Sequence, residues 1–187
     1  SAFAGGPSLL IILALIVRKV TKFDPGKEQI QTLGQIVAYA MFANVFFLGL
    51  EFFTAFYSGI PGHTHAFHYL YAGLDGHSEL VPMMWTSSVF AIVSLLMLVV
   101  PSIRKNEKTL VLACVMLFIS LWIDKGFGLI IGGFVPNPFE EVHTYWPTMP
   151  ETMITIGVWA IGLLVLTFLY KIAITVREQT VGVEIEH

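Results

Sequence analysis

The sequence predicts an all-α protein, a polytopic bundle of five membrane-spanning helices. Of its 187 residues, 56% are hydrophobic and only 12% are charged, and the mean hydropathy is +0.76. A soluble domain carries about 25% charged residues, so this chain has too few to cover a globular surface. Disorder is excluded as well, because disordered chains combine low hydrophobicity with high net charge, and the formal charge here is -3.

The charge and the cysteine content exclude further classes of function. The pI of about 6.0 gives no basic surface for nucleic acid, so no nucleic-acid partner is expected. The single cysteine, Cys114, cannot build a disulfide framework, ligate an iron–sulfur cluster or attach a haem through a CxxCH motif.

Five apolar stretches approach or exceed the roughly 20 residues that a helix needs to cross a bilayer. They cover about 2–17, 33–58, 82–103, 109–132 and 151–176. The first stretch is short, starts without an initiator Met, and has Arg18 and Lys19 behind it, which is the reverse of a secretory signal. We therefore expect residues 1–187 to be the C-terminal part of one integral membrane domain in a longer protein, with a processed N-terminus as the alternative.

The basic residues predict the orientation of these helices. Nine of the ten lysines and arginines fall in the connections 18–32 and 104–108 or at the C-terminal end. The positive-inside rule makes those segments cytoplasmic. Loops 59–81 and 133–150, which contain no Lys or Arg, then face the periplasm. The predicted location is the inner (cytoplasmic) membrane of a cell, with a lipid bilayer as the first partner.

Four ionisable residues within or at the ends of the spans are candidate site residues, because charges in a bilayer are costly and are often functional. Glu51 lies late in the second span, Asp124 and Lys125 lie late in the fourth, and Glu151 opens the last. Their shared depth predicts a proton-handling or quinone-adjacent pocket near the outer boundary. A structural ion pair is the alternative, and Glu151 would also complement the dipole of its own helix.

Helical geometry predicts a partner for the side chain of Lys125. Adjacent residues differ by about 100° around an α-helix. Asp124 and Lys125 therefore should not point at one narrow spot, and we expect Lys125 to serve a neighbouring helix, with Glu51 as its favoured partner.

The two outer loops are rich in histidine and acid. These residues are His63, His65, His68, Asp75, His77 and Glu79 in the first loop, and Glu140, Glu141 and His143 in the second. Zinc is the less favoured interpretation, because a loop site needs a closed geometry, and hydrogen-bonded or protonatable histidines are preferred. No predicted span contains a His, so axial haem ligation between the helices is excluded. We predict that no metal or haem is bound within this chain.

Several segments carry motifs that are typical of a known family. They are 122–138 (WIDKGFGLIIGGFVPNP), 145–151 (YWPTMPE) and 154–159 (ITIGVW). The pattern Tyr-x-Pro-Thr-x-x-Glu before a glycine-containing last helix resembles the NrfD/polysulfide-reductase-type membrane subunits. The segment 56–63 (FYSGIPGH), with 68–71 and 76–77, is similar to the ten-helix DsrP (DsrMKJOP complex) and Hmc-type branch of that family.

The resemblance implies a membrane subunit of a respiratory redox complex in anaerobic sulfur metabolism. Such a subunit exchanges electrons between menaquinol and a periplasmic iron–sulfur subunit or multihaem cytochrome c, beside further membrane and cytoplasmic redox subunits. Menaquinone is then an exchangeable substrate, and no cofactor is covalently bound in this chain. Ten-helix members are about twice as long as this chain, and their quinone site is expected mainly in the N-terminal half. The alternatives are an ion or solute transporter and a structural anchor for peripheral redox subunits.

Overall fold

The computed structural model describes residues 1–20, 25–74, 76–133 and 147–185, and only the backbone of His63 and of residues 177–185. In this part of the chain, helices account for all the structure except turns, short linkers and one isolated bridge between Leu74 and His77. The helices are α1 (Ala2–Val20), α2 (Lys27–Ser58), α3 (Pro61–Tyr71), α4 (Val81–Val99), α5 (Pro101–Arg104), α6 (Glu107–Ile123), a π-helical turn (Asp124–Gly128), α7 (Leu129–Gly132) and α8 (Met149–Ile185). The all-α prediction is confirmed.

Five of the described helical segments are long and apolar enough to cross a membrane. They are Ala2–Val20, Lys27–Ser58, Val81–Val99, Glu107–Gly132 and Met149–Val176. The first is a 19-residue helix, about 28 Å long at 1.5 Å per residue, and so longer than the sequence suggested. The third ends earlier than predicted, because Pro101 forces Val100 into an extended conformation (φ -76, ψ 111) before α5 begins.

The chain divides into two compact units, residues 1–144 and 145–187. In the first unit, α1, α2, α4 and α6 pack around one apolar core, whose fully buried members include Ile11, Met41, Leu98, Leu110 and Leu117. Between α4 and α6, the Ser87 and Ser120 hydroxyls each donate to the other's backbone carbonyl at 2.8 Å. This reciprocal pair fixes the two helices against each other with polar groups satisfied inside the bundle.

One end of the first unit collects the basic residues. The Arg18 guanidinium at the end of α1 forms a bidentate ion pair with the Glu107 carboxylate at the start of α6. The Gln31 amide near the start of α2 donates to the Arg104 carbonyl at 3.2 Å. Since these contacts join the C-terminal ends of α1 and α5 to the N-terminal ends of α2 and α6, we call this the basic end.

A second, smaller apolar cluster lies at the other end of the same unit. It joins α3 to α4, α6 and α7 through Tyr69, Leu70, Met84, Ile123 and Ile131. The second unit is the helix α8 with the residues that precede it. The predictions on Asp75, Glu140, Glu141 and His143 fall outside the described residues, as do positions 134–138 and 145–146 of the family motifs.

Candidate functional site

A cavity of about 210 Å³ opens beside this smaller cluster, at the end of the first unit opposite the basic end. Its wall includes three of the four candidate residues, Glu51 from α2 and Asp124 and Lys125 from the π-helical turn. The rest of the wall is mainly apolar, with Leu48, Phe67, Leu70, Met84 and Leu129. The cavity therefore combines two carboxylates and an ammonium group with surfaces suited to a hydrophobic ligand.

Asp124 and Lys125 form an ion pair with each other. The Lys125 Nζ lies 3.0 Å from the Asp124 Oδ2, with the side chains 39% and 17% exposed. The expected pairing of Lys125 with Glu51 was wrong. The long lysine side chain turns back to its neighbour, and the helix is irregular here, since the Leu129 N–H donates to the Asp124 carbonyl five residues earlier. Both residues thus face one cavity, although their backbone positions diverge.

Glu51 remains a separate acid in the same wall. Its side chain is exposed, and within the described part of the chain no ion pair joins it to Lys125. The Glu51 and Asp124 carboxylates both act on Tyr71, which lines the same cavity. The pKa of Tyr71 lies above its ordinary value of 10.0, first because the ring is partly buried and further because Asp124 and Glu51 repel the phenolate.

Glycines let the neighbouring helices approach the irregular turn. A Cβ added to Gly128 would lie 2.9 Å from the Met84 Cε, and one added to Gly132 would lie 3.0 Å from the Leu70 Cδ1. Asp124, Gly128 and Gly132 follow one another at intervals of four residues. Gly128 and Gly132 thus leave one face of the helix free of side chains, and Met84 of α4 and Leu70 of α3 pack there.

The histidine-rich segment is a helix, whereas the sequence analysis treated 59–81 as a loop. The αL conformation of Gly59 (φ 62) ends α2, and Pro61 starts α3 at its first position. His65 and His68 are exposed, and the His68 ring packs edge-on against Phe56 at 5.9 Å. Ala66, Phe67, Leu70 and Tyr71 of α3 line the cavity instead, and His65 and His68 lie outside its wall.

Tyr71, the last residue of α3, is a cavity residue that the sequence analysis missed. Its ring contacts Phe52 at 5.0 Å and Trp85 at 5.9 Å. The Trp85 Nε1–H donates to its backbone carbonyl at 3.0 Å. The signal was present in the sequence, since Phe67, Leu70 and Tyr71 recur at helical spacing in a segment that begins with proline.

Glu151, the fourth candidate, belongs to the second unit. Its Oε2 accepts hydrogen bonds from the Thr148 N–H at 2.6 Å and from the Thr148 Oγ1 at 2.8 Å. This is the local geometry of an acid that stabilises the first turn of its own helix, here α8. The predicted place of Glu151 beside the other three residues stays a prediction.

Within the described ranges, no three His, Cys, Asp or Glu side chains are arranged to hold a metal ion. In the turn after α3, His77 Nδ1 and Glu79 Oε2 lie 4.0 Å apart. In comparisons with protein-family models, characterised proteins and solved structures, no match was found.

Proposed function

We propose that this chain is a membrane subunit of a redox complex and that its cavity serves the oxidation of menaquinol or the reduction of menaquinone, which departs from the family expectation of a quinone site mainly in the N-terminal half. The observation that carries the proposal is the convergence of Glu51, Asp124 and Lys125, from two apolar spans, on one cavity with apolar walls. The motifs at 122–138 and 145–151 that resemble NrfD-type subunits support the same conclusion.

The chemistry of a quinol requires such groups. A quinol that becomes a quinone releases two electrons and two protons. Glu51 and Asp124 are the bases that accept the protons in the cavity, and Lys125 stabilises the carboxylate that stays ionised. The electrons pass to a periplasmic iron–sulfur subunit or multihaem cytochrome c, because no span of this chain offers histidine ligands for a haem.

The orientation and the partners belong to the same proposal. The basic end, with the connections 18–32 and 104–108, faces the cytoplasm of a cell whose inner membrane holds the protein. The cavity then opens toward the periplasmic half of the bilayer, on the side of the redox partner. Further membrane and cytoplasmic redox subunits complete the complex.

A second candidate function is ion or solute transport. The observation that favours it is the π-helical turn Asp124–Gly128, which interrupts a membrane-spanning helix at an ion pair. Broken helices beside buried charges form the substrate sites of many secondary transporters. A transporter would move its solute without any quinol, which distinguishes the two functions.

The decisive experiment uses the protein purified from its own membranes together with its accompanying subunits. Glu51→Gln and Asp124→Asn remove the two proposed bases, and Glu79→Gln is the matched control, an acid outside the cavity wall. Quinol oxidation should fall by about tenfold or more in the first two variants, since general acid–base groups contribute at least that much. Wild-type turnover in both variants, or quinol-independent solute flux in vesicles that they abolish, would refute the proposal.

A further inference from the structure

The cavity wall offers more hydrogen-bond acceptors than hydrogen-bond donors. Counted as ionised, Glu51 and Asp124 contribute two carboxylates, and Lys125 contributes one ammonium group, for a formal charge of -1. Asp124 Oδ2 accepts from the Lys125 ammonium at 3.0 Å, so one of the three N–H donors of the only cation in the described wall is engaged and at most two remain for a ligand. Among the described residues, no hydrogen bond or ion pair occupies the Glu51 carboxylate.

The orientation of the Tyr71 hydroxyl adds a third acceptor. Ser88 Oγ donates its only proton to the Met84 carbonyl at 3.0 Å. In the 3.3 Å contact between the Tyr71 and Ser88 hydroxyls, Tyr71 must therefore be the donor. Its own proton is thereby used, and its oxygen keeps lone pairs for a ligand in the cavity.

The tyrosine is held in this orientation by its surroundings. Phe52 and Trp85 enclose its ring edge-on, and the Trp85 indole N–H anchors its backbone carbonyl. A hydroxyl fixed in this way does not turn to suit either kind of ligand without losing the Ser88 contact. Preorganised groups discriminate between ligands more sharply than mobile ones do.

We infer that the cavity selects ligands that donate hydrogen bonds, and hence that it binds the dihydroxy (quinol) form of its substrate more tightly than the dicarbonyl (quinone) form. A quinol offers two O–H groups to Glu51, Asp124 and Tyr71. The two carbonyls of a quinone, in contrast, meet donors among the described wall side chains only in the remaining N–H groups of Lys125. This inference rests on the proposed function and adds a direction to it, with entry as quinol and release as quinone.

The size of the cavity is consistent with a ring system as the bound part. A dry cavity of about 150 Å³ in another protein holds a benzene ring, and about 210 Å³ here admits a larger head group. An isoprenoid tail would lie outside, toward the bilayer. The probes are therefore tail-free head groups, menadiol and menadione, both measured without oxygen.

The test measures the two dissociation constants on the purified complex. Menadiol should bind about tenfold more tightly than menadione or better, the equivalent of one hydrogen bond to a charged group. That ratio corresponds to an upward shift of about 30 mV in the midpoint potential of the bound two-electron couple, which redox titration checks independently.

Two variants and a control locate the source of the preference. Tyr71→Phe keeps the ring contacts but removes the acceptor oxygen, and Glu51→Gln replaces one acceptor by a group that also donates. Each should lower the affinity for menadiol several-fold and leave that for menadione unchanged or increased. Tyr69→Phe, two residues away on α3 and outside the cavity wall, should keep the wild-type ratio.

The outcomes separate this inference from the proposed function. Equal or tighter binding of menadione in the wild type would overturn the inference and leave a quinone site standing. Binding of neither probe would overturn both, and displacement of menadiol by Na⁺ would assign the acceptors to a transported cation instead. A menadiol preference that survives in both Tyr71→Phe and Glu51→Gln would place the selectivity elsewhere.

Discussion

The two ends of the first unit handle polar groups in opposite ways. At the basic end, charged and amide side chains connect different helices, as Arg18 does with Glu107 and Gln31 does with Arg104. At the cavity end, the ion pair joins neighbours on a single turn, Asp124 and Lys125, and Glu51 stays apart from it. At the basic end, these ionic groups are already engaged in contacts between helices. The acids available to bind a ligand are therefore those at the cavity end.

The backbone also differs between the two ends: it is regular in the core and irregular around the cavity. The core between α1, α2, α4 and α6 is built on regular helices with fully buried leucines and methionines. The cavity is enclosed by a π-helical turn and by α3, which is bounded by the positive-φ glycines Gly59 and Gly73. Irregular helical turns of this kind are frequent at functional sites, because they re-aim side chains that a regular helix would point elsewhere.

The largest expected effect is an all-or-none difference between the two ends in their accessibility to a reagent added outside the cell. Ser78→Cys places a thiol in the exposed turn near the cavity, and Ser102→Cys places one in α5 at the basic end, both by nearly isosteric changes. A membrane-impermeant maleimide added to intact cells with a permeable outer membrane should label the first and not the second. The native Cys114 is buried and serves as the background. Labelling of Ser102→Cys alone would invert the proposed topology.

The next effect concerns the regular core. Leu117 on α6 is fully buried, whereas Leu112 on the same helix is 52% exposed. Leu117→Ala should destabilise the protein by about 2 kcal/mol or more, because the cavity it leaves cannot close in a packed bundle. Leu112→Ala should change the stability by less than about 0.5 kcal/mol. Thermal unfolding in detergent measures both, and equal effects would contradict the assigned core.

Much of this architecture could be predicted from the sequence, because hydropathy over 20 residues depends little on side-chain detail. The five helices follow the predicted spans to within a few residues at most ends, and depth counting placed Glu51, Asp124 and Lys125 at a similar level. Counting residues along a helix gives only the depth of a side chain in the membrane. The partner of Lys125 depends on rotation about the helix axis, which the π-helical turn alters and which no residue count supplies.

Helix α3 escaped prediction for a different reason. Its 11 residues lie between glycines and carry histidines, a composition that favours a loop when no tertiary contact is known. Its helical structure becomes favourable when Leu70 and Tyr69 are buried against α4 and α7. Tyr71 depends on α3 for its position, so the missed helix and the missed site residue have one cause.

A smaller effect is expected for the polar contact between α4 and α6. Ser87 and Ser120 are both buried and exchange two hydrogen bonds. Hydrogen bonds between membrane helices average about 0.6 kcal/mol, so Ser87→Ala and Ser120→Ala should each cost about that much. Each change removes one hydroxyl but keeps the backbone carbonyl that accepts from the other serine. The double variant should therefore cost about the sum of the two single changes, since only the 3.3 Å contact between the hydroxyls is shared. A double variant that costs no more than either single variant would contradict this prediction.

The smallest expected effect is on the pH dependence of stability at alkaline pH, and it tests the cavity end alone. Burial, with the charges of Asp124 and Glu51, raises the pKa of Tyr71 above 10.0 in the folded protein. The folded state thus holds the phenolic proton more tightly than the unfolded state does. This contribution to stability is complete below the unfolded pKa of about 10 and is lost as the pH rises through the higher folded pKa. Between about pH 9 and pH 11, the wild type should therefore lose stability more steeply than Tyr71→Phe, which has no proton to release there. Tyr57→Phe, at a position 82% exposed, should follow the wild type. If Tyr71→Phe and the wild type show the same pH dependence, the phenol does not share its surroundings with the two acids, and the cavity as described would lose its third acceptor.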